Sequence, residues 1–255
     1  MAPPGVAWLR IASAAAVFAL WRRPWRYLKR LAPRDRAGVV WLGIVLALMN
    51  VIYYFAIARL PLSTVSAIEF LGPIALAALG MRTGRNVGAL ALAVCGVYVL
   101  TDIRLAAEPL GLLAAFGNCA LFVAYIVLGH RIARGGAAAG IDRLAAAMLV
   151  AALAAAPIGL RAAAPALAHP SLLAAGVGVG LCSSVIPYVC DQLAMARLRR
   201  ATFALLLALL PAMATVIGLL VLAQVPTPAE LLGVTLVIAG VAIHREDPSP
   251  ADHPG

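Results

Sequence analysis

The sequence predicts an all-α, polytopic membrane protein, and three observations support this class. Hydrophobic residues make up 64% of the 255 residues and charged residues only 12%, against about 45–50% and about 25% in soluble domains. Apolar runs long enough to cross a hydrocarbon core of about 30 Å recur along the chain. One stretch is also repeated at a fixed spacing, as in membrane proteins built from two related halves.

Nine transmembrane helices are predicted from the lengths of the apolar runs and the residues that separate them. The first run has the length of a signal peptide, but no basic residue precedes it and Arg10 lies within it, so we predict that it is retained as a helix. The nine predicted spans are 6–21, 38–58, 63–81, 86–101, 109–129, 141–160, 171–196, 201–222 and 229–243.

The positions of the basic residues predict the orientation. Fifteen Lys and Arg residues, seven of them in the segment 22–36, fall on one side of the predicted spans. The loops of the other side contain three, Arg59, Arg104 and Arg161. Because Lys and Arg accumulate in cytoplasmic loops, we expect a multi-pass protein of the cytoplasmic membrane with a cytoplasmic C-terminus. The same placement explains the net charge of +10 and argues against nucleic acid as a partner.

The stretch around Arg59 recurs 138 residues further along the chain. Composition alone does not supply Arg-Leu pairs and prolines at matching places in apolar runs, so we interpret the match as an internal repeat. We predict a first repeat at 1–104, a second at 105–243 and a disordered cytoplasmic tail at 244–255. The identities are Ala56, Ala58, Arg59, Leu60, Thr64, Pro73 and Gly80 with Ala194, Ala196, Arg197, Leu198, Thr202, Pro211 and Gly218.

A carboxylate, Glu69, lies inside an apolar run, four residues before Pro73. An ionisable residue costs about 2.5–3.5 kcal/mol at the centre of a membrane helix, so Glu69 should face protein or water and serve a function. Asn50, Tyr53 and Tyr54 precede it in the same repeat, at spacings that place them on a shared helix face. We predict that these four residues bind a substrate.

The second repeat contributes Tyr188 and Asp191, which share a helical face and correspond to Asn50 and Tyr53 at the 138-residue spacing. Prolines interrupt the spans near these residues and free backbone carbonyls that protein, water or substrate must satisfy. Such interruptions at matching positions indicate a transport site. The predicted helix breaks are Pro73, Pro187 and Pro211.

These motifs resemble the threonine/homoserine exporter branch of the EamA-type drug/metabolite transporter superfamily. In the first repeat they are Asn50-x-x-Tyr53-Tyr54, Ala58-x-Leu60-Pro61-Leu62 and Glu69-Phe70-Leu71-Gly72-Pro73. In the second they are Pro187-Tyr188, Ala194-x-x-x-Leu198, Arg200-x-Thr202-Phe203, Pro211-Ala212 and Leu232-Gly233-x-x-Leu236-x-Ile238-x-Gly240-Val241. The resemblance covers the chain from Val6 to Ile243.

The resemblance implies ten helices in two inverted five-helix repeats around a central cavity. Relative to that pattern we expect one leading helix to be missing from this sequence, so that a full-length form has ten. Arg10 falls where the family carries an Arg early in its second helix, and either a substrate-binding role or a position at the membrane surface fits. The sequence departs from the family pattern at two positions, where Leu210 and Gln224 stand in place of acidic residues that members of this branch often carry.

We therefore predict a secondary transporter that exports small metabolites such as amino acids, with protons competing for Glu69. No nucleotide-binding loop is present in the sequence, and no cofactor, metal or catalytic residue is predicted. The alternatives are a membrane scaffold without transport activity, a truncated and inactive transporter, or an intramembrane enzyme. The histidines, including His130, are predicted in loops or the tail, and Cys95, Cys119, Cys182 and Cys190 as apolar packing residues. The sequence predicts neither the oligomeric state nor the substrate.

Overall fold

The structure is a computed structural model that describes residues 3–60, 65, 68–69, 71–73, 75–76, 84–101, 108–133, 135–207, 220 and 228–243. Every regular element in these ranges is a helix, as the composition predicts. They are α1 (Pro3–Arg22), α2 (Pro24–Arg30), α3 (Pro33–Ile57), α4 (Gly84–Thr101), α5 (Pro109–Ala133), α6 (Ala137–Leu167), α7 (Pro170–Gly180), a π-helical turn (Leu181–Val185), α8 (Ile186–Met195), α9 (Arg200–Leu207) and α10 (Pro228–Ile243).

The chain forms two compact units. The first comprises Met1–Glu69 and Leu105–Leu198, and the second comprises Phe70–Arg104 and Arg199–Gly255. In the first unit, α6 packs against both α1 and α3, and α5 packs against α3. In the second unit, α4 packs against α10.

Small residues let the helices of the first unit approach closely. The face of α6 that contacts its neighbours includes Ala145, Ala147 and Ala151, all fully buried. At Gly43 of α3 a Cβ atom would lie 2.6 Å from the backbone oxygen of Ala147. Without a hydrophobic force between helices in lipid, close backbone contact supplies the packing energy.

Among the residues that the structure describes, five helical segments are long and apolar enough to cross a membrane. They are Gly5–Arg22, Pro33–Ile57, Pro109–Ala133, Ala137–Pro165 and Pro170–Met195. They match five of the predicted spans, and α4 and α10 lie at the positions of two more. The predicted spans 63–81 and 201–222 lie largely outside the described residues. The chain is thus a multi-pass membrane protein.

Three predicted loop positions are wrong. The basic segment 22–36 contains the short helix α2, and α6 continues through Pro157 and Pro165 to Leu167. Arg161 is therefore a helical residue. His130 belongs to α5 and is buried, with Nδ1 3.1 Å from the Ile126 oxygen and Nε2 3.2 Å from the Leu198 oxygen. A proline removes only one backbone hydrogen bond, so membrane helices continue past it where sequence punctuation predicts an end.

The cysteines also depart from expectation, because three of the four are not packed inside the protein. Cys95, Cys182 and Cys190 are exposed and Cys119 is partly buried. In a membrane protein an apolar side chain is about as stable in lipid as in the protein interior. Its hydrophobicity therefore does not determine whether it contacts lipid or protein.

The two copies of the sequence repeat end their helices in the same way. Helices α3 and α8 end at Ile57 and Met195, which are 138 residues apart. The Leu60 amide donates to the Ala56 oxygen at 2.8 Å, and the Leu198 amide donates to the Ala194 oxygen at 2.8 Å. Identical residues at the fixed spacing thus build the same turn twice.

We predict that Gly43→Ala destabilises the protein by about 1–3 kcal/mol, because the added methyl group meets a backbone oxygen and the Cβ of Val150, both 2.6 Å away. Gly38→Ala on the same helix is the matched control, because nothing lies within 4 Å of its Cβ position. The control should gain up to about 1 kcal/mol of helix propensity. Thermal unfolding in detergent measures both, and equal midpoints would contradict the packing described for α3 and α6.

Candidate functional site

The first unit contains a cluster of polar side chains, here called the polar cluster, that includes all seven residues predicted to bind substrate. Each comes from an otherwise apolar helical segment, and the cluster also contains two residues that were not predicted. Its members are Arg10 of α1; Asn50, Tyr53 and Tyr54 of α3; Glu69; Asn118 and Tyr125 of α5; and Tyr188 and Asp191 of α8.

Arg10 is held by α3. Its guanidinium donates to the Asn50 side-chain oxygen and lies 5.6 Å from the centre of the Tyr54 ring. Asn50 is 3% exposed and its amide nitrogen donates to the Leu46 oxygen at 2.8 Å, which orients the side-chain oxygen toward Arg10. Arg10 therefore contacts two of the predicted site residues, Asn50 and Tyr54, within the first unit.

Glu69 is placed beside α5 by the apolar residues that precede it. Val65 and Ile68 pack into a buried cluster with Leu60 and Ala115. Asn118 follows Ala115 by about one turn of α5, and its side-chain amide donates to Glu69 Oε1 at 3.0 Å. The carboxylate is thus fixed by a neutral donor, and Arg10 lies within electrostatic range of it.

Asp191 is held from the same face of α5. The hydroxyl group of Tyr125, which is 1% exposed, donates to Asp191 Oδ2 at 2.7 Å. The Tyr125 ring stacks on Phe122 at 6.0 Å and meets the Tyr188 ring edge-on at 5.4 Å. Such aromatic contacts fix the orientation of the hydroxyl group.

Tyr188 lies near the two carboxylates and the guanidinium. Its hydroxyl group is within electrostatic range of Asn50, Arg10, Asp191 and Glu69. Tyr53 lies within electrostatic range of Glu69 and Arg10 and packs edge-on against Tyr54 at 5.8 Å. Two acids and one base thus share one site, lined by tyrosines.

Two buried atoms of the polar cluster have no hydrogen-bond partner within the described part of the chain. One is Arg10 Nε, a cationic donor, and the other is Asn118 Oδ1, an acceptor beside Glu69. Nearly all buried polar atoms in folded proteins are paired, so a water molecule, an ion or a ligand is expected to supply the missing partners. With Arg10, Glu69 and Asp191 ionised, the cluster has one excess negative charge.

Asn118 and Tyr125 are the functional candidates that sequence reasoning missed. They lie seven residues apart on α5, so they share a helix face with Phe122 between them. A polar residue in the apolar run 109–129 was the available signal. Neither belongs to the repeated motif, so the repeat does not predict them.

The predicted helix breaks have different outcomes. Pro187 is the second residue of α8 and lies two residues after the end of the π-helical turn Leu181–Val185. Pro73 is a buried helical residue, and Pro211 lies outside the described residues. In the described ranges no three His, Cys, Asp or Glu side chains are grouped as metal ligands.

Comparisons with known proteins agree with one another. The sequence model of the EamA-like transporter family matches residues 109–244. The threonine/homoserine exporter RhtA of Escherichia coli (strain K12) is 34% identical over 92% of this chain and 79% of its own length. The exporter of the same name from Salmonella typhimurium (strain SL1344) is 33% identical over the same shares.

A solved crystal structure with 19% sequence identity matches 95% of this chain and 87% of its own chain, with a TM-score of 0.72. At that identity the likeness shows the fold alone. The matched family is one of transporters, which confirms the predictions of membrane transport and of a protein that is not an enzyme. The resemblance inferred from the repeated motifs is confirmed by the same matches. The chain belongs to the EamA-like transporter family.

Proposed function

We propose that the chain is a secondary transporter that exports small zwitterionic amino acids across the cytoplasmic membrane. The observation that carries the proposal is the pair of unpartnered atoms in the polar cluster, Arg10 Nε and Asn118 Oδ1. One is a cationic donor and the other is an acceptor beside a carboxylate. A zwitterionic amino acid presents the complementary groups, a carboxylate and an ammonium. The names of the relatives, threonine/homoserine exporters, support this substrate class.

Arg10 binds the substrate carboxylate in this proposal. A guanidinium group has five donors in a planar fork, and the contact with Asn50 occupies only part of it. The Tyr54 ring beside the guanidinium shields it from lipid. Tyr188 offers a hydroxyl group to the same substrate carboxylate.

Glu69 binds the substrate ammonium together with Asn118 Oδ1, and Asp191 adds a second negative charge. The acids that other members of this branch carry are replaced here by Leu210 and Gln224, so the carboxylates of the polar cluster are the ones available to the ammonium group. A proton and the ammonium compete for Glu69, which is the minimum requirement for exchange of substrate against protons.

We also propose that this sequence has nine spans, within two inverted repeats, with the C-terminus in the cytoplasm. Asn50 and Tyr188 occupy equivalent positions of the repeat and lie within electrostatic range of each other in the polar cluster. Equivalent residues of two copies related by a twofold axis meet only near that axis. The matched turns after Ile57 and Met195 support the same relation. The repeat boundaries 1–104 and 105–243 and the cytoplasmic tail 244–255 are part of this proposal.

Reconstituted protein should exchange labelled threonine and homoserine across proteoliposome membranes. We expect counterflow that unlabelled amino acid on the opposite side accelerates, because a secondary transporter binds substrate from either face. Empty liposomes are the control for leakage. Absence of counterflow for every amino acid tested would favour a scaffold without transport activity.

Glu69→Gln should reduce the exchange rate at least about tenfold and flatten its dependence on pH. The amide preserves the shape and the hydrogen bond to Asn118 but removes the negative charge that attracts the ammonium. A variant that only lost packing would show a lower melting temperature, so thermal unfolding is measured beside transport. Wild-type rate and pH dependence in Glu69→Gln would defeat the proposed role.

Arg10→Gln should reduce exchange of amino acids about tenfold or more, while exchange of the corresponding amines, which lack a carboxylate, falls much less. The reason is that only the carboxylate needs the cationic donor. The ratio of the two rates is the readout, and it does not depend on the amount of folded protein. An equal loss for both substrates would contradict binding of the carboxylate by Arg10.

A further inference from the structure

A second charged site lies at the end of α1, apart from the polar cluster in sequence and sharing no residue with it. It is a cleft of about 260 Å³ at the junction of α1, α2 and α6. We call it the arginine cleft. Its lining residues are Arg22, Arg23, Arg26, Tyr27, Arg30 and Asp142.

The arginine cleft has an excess of positive charge. The Arg22 Nε atom donates to Asp142 Oδ1 at 2.6 Å, and its terminal nitrogen donates to the Ala138 oxygen at 3.4 Å. In the portion of the chain that the structure describes, Arg23, Arg26 and Arg30 form no ion pair. Four guanidinium groups and one carboxylate leave three positive charges close together, which an anion would neutralise.

The backbone holds these side chains together. Arg23 has φ 50° and ψ 57°, a left-handed conformation that residues with a Cβ atom rarely adopt. It ends α1, and the buried Pro24 begins α2 directly afterwards. The turn directs α2 so that Arg26, Tyr27 and Arg30, which share a helix face, line the same cleft as Arg22. An unfavourable backbone conformation persists where the surrounding structure requires it, and such residues concentrate at ligand sites.

Exposed apolar side chains adjoin residues of the arginine cleft, and the Arg22 guanidinium lies 5.3 Å from the centre of the Trp21 ring. Leu20 is 86% exposed and Trp21 is 54% exposed, immediately before Arg22 in a helix that spans the membrane. Trp25, on α2, is 47% exposed. Exposed tryptophans are typical of the level of the lipid headgroups. A ligand at this site therefore meets cationic groups on one side and a lipid-facing helix on the other.

We propose that the arginine cleft binds the phosphate group of an anionic phospholipid at the cytoplasmic face. Guanidinium groups bind phosphate oxygens through two parallel hydrogen bonds, and the Tyr27 hydroxyl group is a further donor. The acyl chains lie against Leu20 and Trp21. A free phosphate ion offers the same headgroup chemistry but makes no use of the apolar surface. A zwitterionic phospholipid brings an ammonium group into a cleft that is already positive.

Native mass spectrometry of the full chain in detergent tests the proposal by titration with phosphatidylglycerol and with phosphatidylcholine of the same acyl chains. We expect one phosphatidylglycerol to bind more tightly than phosphatidylcholine. The double variant Arg26→Gln with Arg30→Gln should weaken its binding roughly tenfold or more. The single variant Arg26→Gln should change binding in the same direction. Both side chains are exposed, so the fold is expected to survive, and thermal unfolding checks this.

The matched control is Lys29→Gln with Arg36→Gln, which removes the same charge from exposed positions that do not line the cleft. It should leave binding nearly unchanged. An equal loss in both double variants would overturn the proposal in favour of diffuse surface charge. Equal binding of the two phospholipids would also overturn it. Displacement of phosphatidylglycerol by inorganic phosphate, but not by chloride at equal ionic strength, would assign the cleft to a soluble anion instead.

Discussion

The site depends on one constraint: an ionisable side chain inside an apolar helix bundle needs a polar partner. A charge in the membrane is costly unless protein or ligand groups satisfy it, and this chain has Arg10, Glu69 and Asp191 in one unit. Each is held by a different neutral partner: Asn50 for Arg10, Asn118 for Glu69 and Tyr125 for Asp191. None of these contacts joins a base directly to an acid. The charges therefore stay separate, and each retains capacity to bind a group of opposite sign.

Small residues on α6 make this arrangement possible, because they let α1 and α3 pack closely against it. The indole nitrogen of Trp8 on α1 donates to the Ala152 oxygen of α6 at 3.1 Å. This contact helps to position α1, the helix that carries Arg10. Gly43 and Ala147 bring α3 within backbone contact of α6. The polar side chains of α1 and α3 are thus positioned by helices whose contacts are apolar and closely packed, which gives the site a rigid frame.

The repeat explains the framework of the site better than its chemistry. Asn50, Tyr53 and Tyr54 correspond to Tyr188, Asp191 and Gln192, so both copies place polar residues on the last turns of a helix but with different side chains. Glu69 corresponds to Leu207. The asymmetry gives the site one cation and two anions instead of two equal halves. A substrate with different groups at its two ends fits an asymmetric site.

The sequence by itself determined the class, because hydrophobic composition and run length are properties that need no neighbours. It also determined the family. It predicted the repeat and the seven residues that the polar cluster brings together, since each carries a polar group where the bilayer penalises one. Only the tertiary structure decided which residues are partners: Asn118 and Tyr125 lie outside the repeated motif, and their importance depends on the packing of α5 against α3 and α8. The helical state of Arg161 and His130 and the arginine cleft were likewise decided by packing. Local sequence encodes the cost of a buried charge, but the group that offsets this cost comes from another helix.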